Sequence, residues 1–169
     1  MSFSDRRRAL AALIALGAAS ATTGCGFRPV YGAGSGRAFE RRIRVQEPPG
    51  RSGHFYARAL RRRLGEPGPD AAMTLETRLS FGERATAITV EDDVTRFDIL
   101  GAARWRLTER GASDALAAGE AEAATAYNTL ARPYATRTAE LDAERRLAEE
   151  LAARVFLELA AALGRISAT

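Results

Sequence analysis

The segment MTLETRLSFGERATAITVEDDVTRFDILGAARWRL, residues 73–107, decides the fold. Apolar and polar residues alternate from Met73 to Phe81, and they alternate again from Phe97 to Leu107. Alternation with a period of two places one face of a strand in a core and the other face in solvent. The segment therefore predicts two long, half-buried strands.

The link between these two runs predicts how they pair. After Gly82 the apolar phase moves by one residue, which indicates a β-bulge at this glycine. Residues 91–94 are typical of a turn, so we expect an antiparallel hairpin. Pairing across that turn places Leu79 opposite Trp105 and Phe81 opposite Ala103, with all four side chains in the core.

Four further elements flank the hairpin. They are a short strand over 41–46, a helix from Ser52 as N-cap to Leu64, an alanine-rich strand over 115–127 and a long helix over 136–164. Two amphipathic helices can cover one apolar sheet face. The predicted fold is therefore α+β, a two-layer sandwich in the order βαβββα. Its four-stranded sheet is mostly antiparallel, with both helices on one face and a polar opposite face.

The first 24 residues have the anatomy of a signal peptide. Three arginines, Arg6 to Arg8, precede an apolar run from Ala9 to Ala21. That run is shorter than the roughly 20 residues that span a bilayer core. The arginines also suggest twin-arginine export as one possible route. We therefore expect a signal peptide over 1–24, a tether over 25–38 and one domain over 39–166.

Cys25, the only cysteine, follows the apolar run and Gly24, as in a bacterial lipobox. Thr22 stands where the usual lipobox has leucine, which is its main departure. We expect Cys25 to become the acylated N-terminus, because several acyl chains anchor a protein stably. Since Gly26 rather than an aspartate follows, we expect the outer membrane, with the domain facing the periplasm.

The remaining chemistry favours a binding protein over an enzyme. His54 is the only histidine, and its position in a first helical turn is typical of a solvated or capping residue. No Cys/His cluster has metal-ligand spacing, and the acidic turn at 91–93 is typical of solvated residues. Without the signal peptide the chain has 22 arginines and 20 acidic residues. We therefore expect no catalysis, no cofactor, no metal and no nucleic-acid partner.

Several stretches resemble the LptE family of lipopolysaccharide-assembly lipoproteins. The start of the expected mature chain, CGFRPVYG over 25–32, is similar to the mature start in that family. So are LSFGER over 79–84, TRFDILG over 95–101 with Trp105, and PYA over 133–135 leading to ERRL over 144–147. The resemblance covers most of the chain from Cys25 to Leu163, and the family's βαβββα sandwich fits the predicted order.

The resemblance implies a partner and a cargo. LptE proteins plug the LptD β-barrel, help it to assemble and bind lipopolysaccharide, which the pair inserts into the outer leaflet. The alternative is a lipid-anchored auxiliary subunit of another envelope lipid-transport system, with a small lipid in its own cavity. A deep apolar pocket would favour that alternative.

Arginine is the residue expected to bind the phosphates of lipopolysaccharide, since its planar fork makes paired charge-assisted hydrogen bonds. One candidate group lies on the polar sheet face: Arg78, Arg96, Arg104 and Arg106, with Arg84 beside the predicted bulge. Within it we favour Arg84 and Arg96, which flank the hairpin tip. Structural ion pairs and contacts with the barrel wall are the competing roles for both residues. A second group of arginines lies on the first helix. It consists of Arg58, Arg61 and Arg62.

Overall fold

The computed structural model describes residues 41–88, 94–129 and 132–166. Six elements follow one another in this part of the chain. They are β1 (Ile43–Val45), α1 (Gly50–Leu64), β2 (Met73–Ile88), β3 (Val94–Glu109), β4 (Ala115–Asn128) and α2 (Pro133–Ile166). The strands form one sheet in the order β1-β2-β3-β4, with β1 parallel to β2 and the other pairs antiparallel. The predicted α+β class and the βαβββα order are confirmed.

Both helices pack on the same face of the sheet. Tyr56 of α1 shares a hydrogen bond of 3.1 Å with Thr77 of β2, and both side chains are buried. On the same face, a Cβ added at Gly101 of β3 would lie 3.0 Å from Leu151 and 3.1 Å from Leu147 of α2. The glycine therefore lets the long helix approach the sheet closely.

One hydrophobic core fills the space between the two layers. Its members among the described residues run from Ile43 on β1 to Leu163 near the end of α2. Burial raises the pKa of Tyr56 to about 12, which fits its place at the centre of this core. All core residues among the described ranges lie within 43–163, so a chain that starts at residue 25 keeps each of them.

The predicted register of the central hairpin is wrong by two residues. Leu79 lies opposite Ala103, and Trp105 lies opposite Thr77 rather than Leu79. Phe81 lies opposite Gly101 rather than Ala103. A shift of two residues keeps every side chain on its predicted face, so the alternation that located the strands could not detect the error.

The position of the bulge is also corrected. Gly82 pairs regularly with Leu100, and the irregularities fall between Ala85 and Ile88. The acidic turn predicted from residue 91 lies largely outside the described residues. The change of apolar phase therefore correctly predicted a bulge, but the bulge lies between Ala85 and Ile88 and not at Gly82.

Phe81, predicted as a core residue, is 41% exposed. Leu79, two residues before it, is only partly buried, whereas Leu75 is fully buried. Burial along β2 thus declines towards the hairpin end. The alternation of apolar residues therefore extends past the part of β2 that the other described elements bury.

The helix boundaries differ from the sequence prediction by a few residues. Helix α1 begins at Gly50 with Pro49 as N-cap and no side-chain cap, so Ser52 lies inside the first turn. Pro49 is extended, with φ −65° and ψ 154°, and the two prolines before Gly50 set where the helix can start. Helix α2 begins at Pro133, which was assigned to a loop, because proline is favoured in the first turn.

Candidate functional site

The sheet face opposite the helices carries a dense array of charged side chains. Six arginines and four acidic residues project from it at alternate strand positions. The arginines are Arg44, Arg78, Arg84, Arg96, Arg104 and Arg106, and the acids are Glu76, Asp98, Glu120 and Glu122. Most of these side chains are exposed, as expected for the polar face of a half-buried sheet.

The half of this face nearest to β1 contains a pair of like charges. Arg78 of β2 lies directly opposite Arg104 of β3. Like charges in such cross-strand positions repel each other. Arg104 is compensated on its other side by Glu120 of β4, with 2.9 Å between Nε and the carboxylate oxygen. No ion pair of Arg78 occurs among the described residues.

Arg84 and Arg96 lie near the hairpin end of the same face. Arg84 is opposite Asp98, and Arg96 contacts Asp98 with 3.5 Å between Nε and Oδ1. The structure therefore places Arg96 in contact with the Asp98 carboxylate and Arg84 at the strand position opposite Asp98. Both arginines are exposed, whereas the side chain of Asp98 is only 30% exposed. This group combines two accessible guanidinium groups with one acid.

Between the two charged regions the open face is apolar. Leu100 is 47% exposed, and its neighbours across the sheet are Gly82 and Ala124. The lining of an open depression of about 700 Å³ includes these three residues, but it also includes Arg154 of helix α2, so the depression is not confined to the open face. An exposed leucine between arginines gives the face both apolar and cationic character.

An aromatic pair supports the hairpin end from the helix side. The rings of Phe97 and Tyr127 stack with 5.4 Å between centroids, and the Tyr127 hydroxyl donates to Glu83. Burial and this hydrogen bond raise the pKa of Tyr127 above its ordinary value. No local sequence pattern predicts this contact, because only the register of β3 with β4 aligns Phe97 with Tyr127.

A second depression of about 410 Å³ opens between β4 and the end of α2. Its lining includes Trp105, Leu116 and Glu158. The indole Nε1–H of Trp105 donates a hydrogen bond of 2.7 Å to Glu158, and this bond links the sheet to helix α2. Like the depression around Leu100, it is open to the surface rather than a deep apolar cavity.

His54 and Arg61 share one structural partner, the carboxylate of Glu47. His54 is exposed and bonds to Glu47 at 3.1 Å; Arg61 contacts the same carboxylate at 3.1 Å. Both contacts lower the pKa of Glu47, with the His54 hydrogen bond as the larger cause. Within the described ranges no three His, Cys, Asp or Glu side chains are grouped as a metal site would need.

Neither α1 nor α2 is both long enough and apolar enough to cross a membrane.

Solved structures with this architecture come from bacterial lipoproteins. A protein of Caulobacter crescentus CB15 described as a lipoprotein is 27% identical, with a TM-score of 0.59 over 76% of this chain and 95% of its own. Rare lipoprotein B from Shewanella oneidensis is 12% identical, with a TM-score of 0.56 over 74% of this chain and 96% of its own. A minor lipoprotein from Acinetobacter baumannii is 13% identical, with a TM-score of 0.54 over 72% of this chain and 94% of its own. The last two comparisons concern the fold alone.

The chain is therefore a two-layer α+β domain with the same architecture as these bacterial lipoproteins. No curated protein sequence is significantly similar to the chain. The sequence pattern of the LptE family, described as lipopolysaccharide-assembly, matches residues 40–159. The match spans well over half of the chain, and the chain belongs to the LptE family.

Proposed function

We propose that this protein is an outer-membrane lipoprotein that occupies the lumen of an LptD-type β-barrel and assists its assembly. The pair would insert lipopolysaccharide into the outer leaflet. The observation that carries the proposal is the family match over residues 40–159, which covers all four strands, the first helix and most of the second helix. In this role the chain has no catalytic activity and supplies a rigid domain with a charged surface.

The proposed attachment to the membrane depends on Cys25, which lies outside the described residues. Residues 1–24 would be removed as a signal peptide, and residues 25–38 would connect the lipid to a domain over 39–166. The support is the sequence pattern: a basic start, an apolar run of 13 residues from Ala9 to Ala21, and a lone cysteine after Gly24. Acyl chains on Cys25 would hold the domain on the periplasmic side of the outer membrane.

Mild detergent extraction of outer membranes tests the anchor and the partner in one preparation. We expect mass spectrometry to find a chain that begins at Cys25 and carries a lipid mass on it. We also expect a large β-barrel protein to co-purify with the chain in a constant ratio. An unmodified chain that begins elsewhere would contradict the anchor, and a chain recovered with no barrel would contradict the partner.

The two open depressions bear on the alternative function, an auxiliary subunit that carries a lipid. Both are surface features, whereas a lipid carrier of this type needs a deep apolar pocket to bury an acyl chain. The alternative would gain support if the purified chain carried a stoichiometric phospholipid without any barrel.

Arg84 and Arg96 remain the proposed contacts for lipopolysaccharide. Two exposed guanidinium groups on one face can bind a phosphate, with Asp98 in contact with Arg96 and opposite Arg84 in the register. The exposed Leu100 is two residues from Asp98 on the same face, where it can contact an acyl chain. Phosphate and acyl groups are the two components that this cargo presents together.

Charge reversal of both arginines tests this assignment. We expect the Arg84→Glu, Arg96→Glu variant to bind lipopolysaccharide at least tenfold more weakly and with less dependence on salt, since each charge-assisted hydrogen bond contributes about 1.5–3 kcal/mol. Barrel association should be unchanged. A pair of glutamines at the same positions controls for repulsion from Asp98 and should also weaken binding.

The matched control reverses Arg44 and Arg78, which lie at the other end of the same face. That variant should retain binding within about twofold. The assignment is wrong if both reversals weaken binding equally, or if reversal of Arg84 and Arg96 abolishes the barrel complex instead.

A further inference from the structure

The two edges of the sheet differ in how they are protected. Strand β1 forms one edge; it has only three residues, carries the exposed Arg44 and is soon followed by Pro48 and Pro49. Short length, charge and proline are the usual means by which proteins keep an edge from pairing with another strand. Strand β4 forms the other edge of the described sheet over 14 residues, Ala115–Asn128, and contains neither proline nor a basic residue. It is therefore a long edge without these protections.

The main-chain hydrogen bonds show which residues of β4 point outward. In an antiparallel pair, directly opposed residues exchange both bonds or neither, in alternation. The Thr129 N–H donates to the Thr95 carbonyl at 3.0 Å, so the odd-numbered residues of β4 bond to β3. The Arg110 N–H donates to the Ala72 carbonyl at 2.7 Å, which gives β3 the same alternation from its other side. The residues of β4 that direct their N–H and C=O groups away from the sheet are Ala118, Glu120, Glu122, Ala124 and Ala126.

An apolar depression lies beside this edge on the helix side. It is the depression of about 410 Å³ between β4 and the end of α2, and four consecutive residues of β4, 116–119, contribute to its lining. Consecutive strand residues point to opposite faces, so a depression that touches all four reaches the edge itself. Leu116 and Ile166 in its lining are both exposed. A strand added at the edge would bury apolar side chains there.

The open-face side of the same edge is acidic. Glu120 and Glu122 lie at outward-directed positions, and both are exposed. Glu120 is paired with Arg104 at 2.9 Å, whereas no ion pair of Glu122 occurs in the part of the chain that the structure describes. Like charges in cross-strand positions repel each other. An added strand therefore fits best with a basic side chain opposite Glu122.

We propose that an extended segment of the enclosing barrel protein adds to the β4 edge as a fifth strand. Main-chain hydrogen bonds would hold it, with apolar side chains towards the depression and a basic side chain opposite Glu122. The segment would come from a loop or terminus that enters the lumen, because the strands of a closed barrel already pair with one another. This inference rests on the proposed function, which places a barrel around the domain.

Two other occupants fit the edge less well. Two copies of β4 paired about the middle of the strand would place Glu122 opposite Glu120 or opposite its own counterpart, and these carboxylates would repel. The chain's own residues 25–40 join the domain at Arg41, whose N–H bonds to the Leu64 carbonyl just before β1, at the other edge of the sheet. Neither occupant supplies what the β4 edge requires as directly as a barrel segment does.

Proline substitution tests the main-chain contact. Ala118→Pro with Ala124→Pro removes two outward N–H donors and sets each ring against the added strand, while the hydrogen bonds to β3 are kept. Each lost main-chain hydrogen bond weakens association about fivefold, so the barrel-to-chain ratio in mild detergent extracts should fall at least about tenfold. The control, Ala118→Val with Ala124→Val, keeps both N–H groups and should keep the ratio within about twofold. The melting temperature of each purified chain verifies folding.

Photo-cross-linking identifies the occupant without relying on the stability of the proline variant. A photo-reactive residue at Ala118 of the chain in growing cells should cross-link to the barrel protein. The cross-linked barrel peptide should contain arginine or lysine, as Glu122 requires. In a chain that also carries Ala124→Pro, the yield of this product should fall at least about fivefold.

The outcomes separate this inference from the proposed function. A wild-type chain recovered without any barrel contradicts the proposed function itself. If the wild-type chain binds the barrel and the prolines leave both the ratio and the cross-link unchanged, only the edge pairing is overturned. Equal losses in the proline and valine variants would assign the contact to side chains and reject it too. So would a cross-linked product with twice the mass of the chain, or one formed with residues 25–40 of the same chain.

Discussion

Replacing Trp105 with alanine is expected to lower the free energy of unfolding by about 3–5 kcal/mol. The side chain is 4% exposed on the helix side of β3, and its indole N–H donates to Glu158 of α2. Removing it opens a cavity between the layers and breaks a link between the sheet and the long helix. Urea unfolding followed by far-UV circular dichroism measures the loss.

Two matched variants separate the causes. Leu100→Ala, on the same strand but 47% exposed, should cost less than about 1 kcal/mol. Glu158→Gln keeps the packing and weakens only the hydrogen bond, so it should cost about 1 kcal/mol. A loss below about 1 kcal/mol for Trp105→Ala would mean that the indole does not hold the layers together.

Gly119→Val is expected to destabilise the fold by about 3 kcal/mol, at the upper end for overpacking. A Cβ at this position of β4 would lie 2.8 Å from two ring carbons of Trp105, which is closer than Cβ atoms approach other atoms in folded proteins. The indole cannot move away freely, because the Glu158 hydrogen bond and the long helix hold it.

The same substitution should reverse its effect when Trp105 is alanine. The valine would then fill part of the cavity, and valine is favoured in strands over glycine. A double-mutant cycle therefore predicts a coupling energy of at least about 3 kcal/mol between the two positions. Gly82→Val on β2 is the control, since nothing lies within 4 Å of the added Cβ there. Additive effects of Gly119→Val and Trp105→Ala would contradict the contact.

The alternating pattern was sufficient to predict the strands, because one residue in two must face the core. It correctly placed Trp105 and Leu107 inside and Arg104 and Arg106 outside. It could not determine the register, since a shift of two residues satisfies the same alternation. That is why Trp105 was paired with Leu79 instead of Thr77.

The candidate site was less predictable than the fold. Periodicity placed Arg84 and Arg96 near the hairpin end, but only the pairing of β2 with β3 positions Asp98 between them. The contact of Tyr127 with Glu83 joins β4 to β2 across an intervening strand, and no local pattern contains it.

Depletion of this chain from growing cells tests the central claim most directly. The measured quantity is the fraction of newly made lipopolysaccharide that reaches the cell surface, assayed by labelling intact cells. If the chain assists an LptD-type barrel, that fraction should fall as the chain is depleted and recover when the wild-type chain is restored. Surface lipopolysaccharide that remains at its normal level in fully depleted cells would contradict the proposed function.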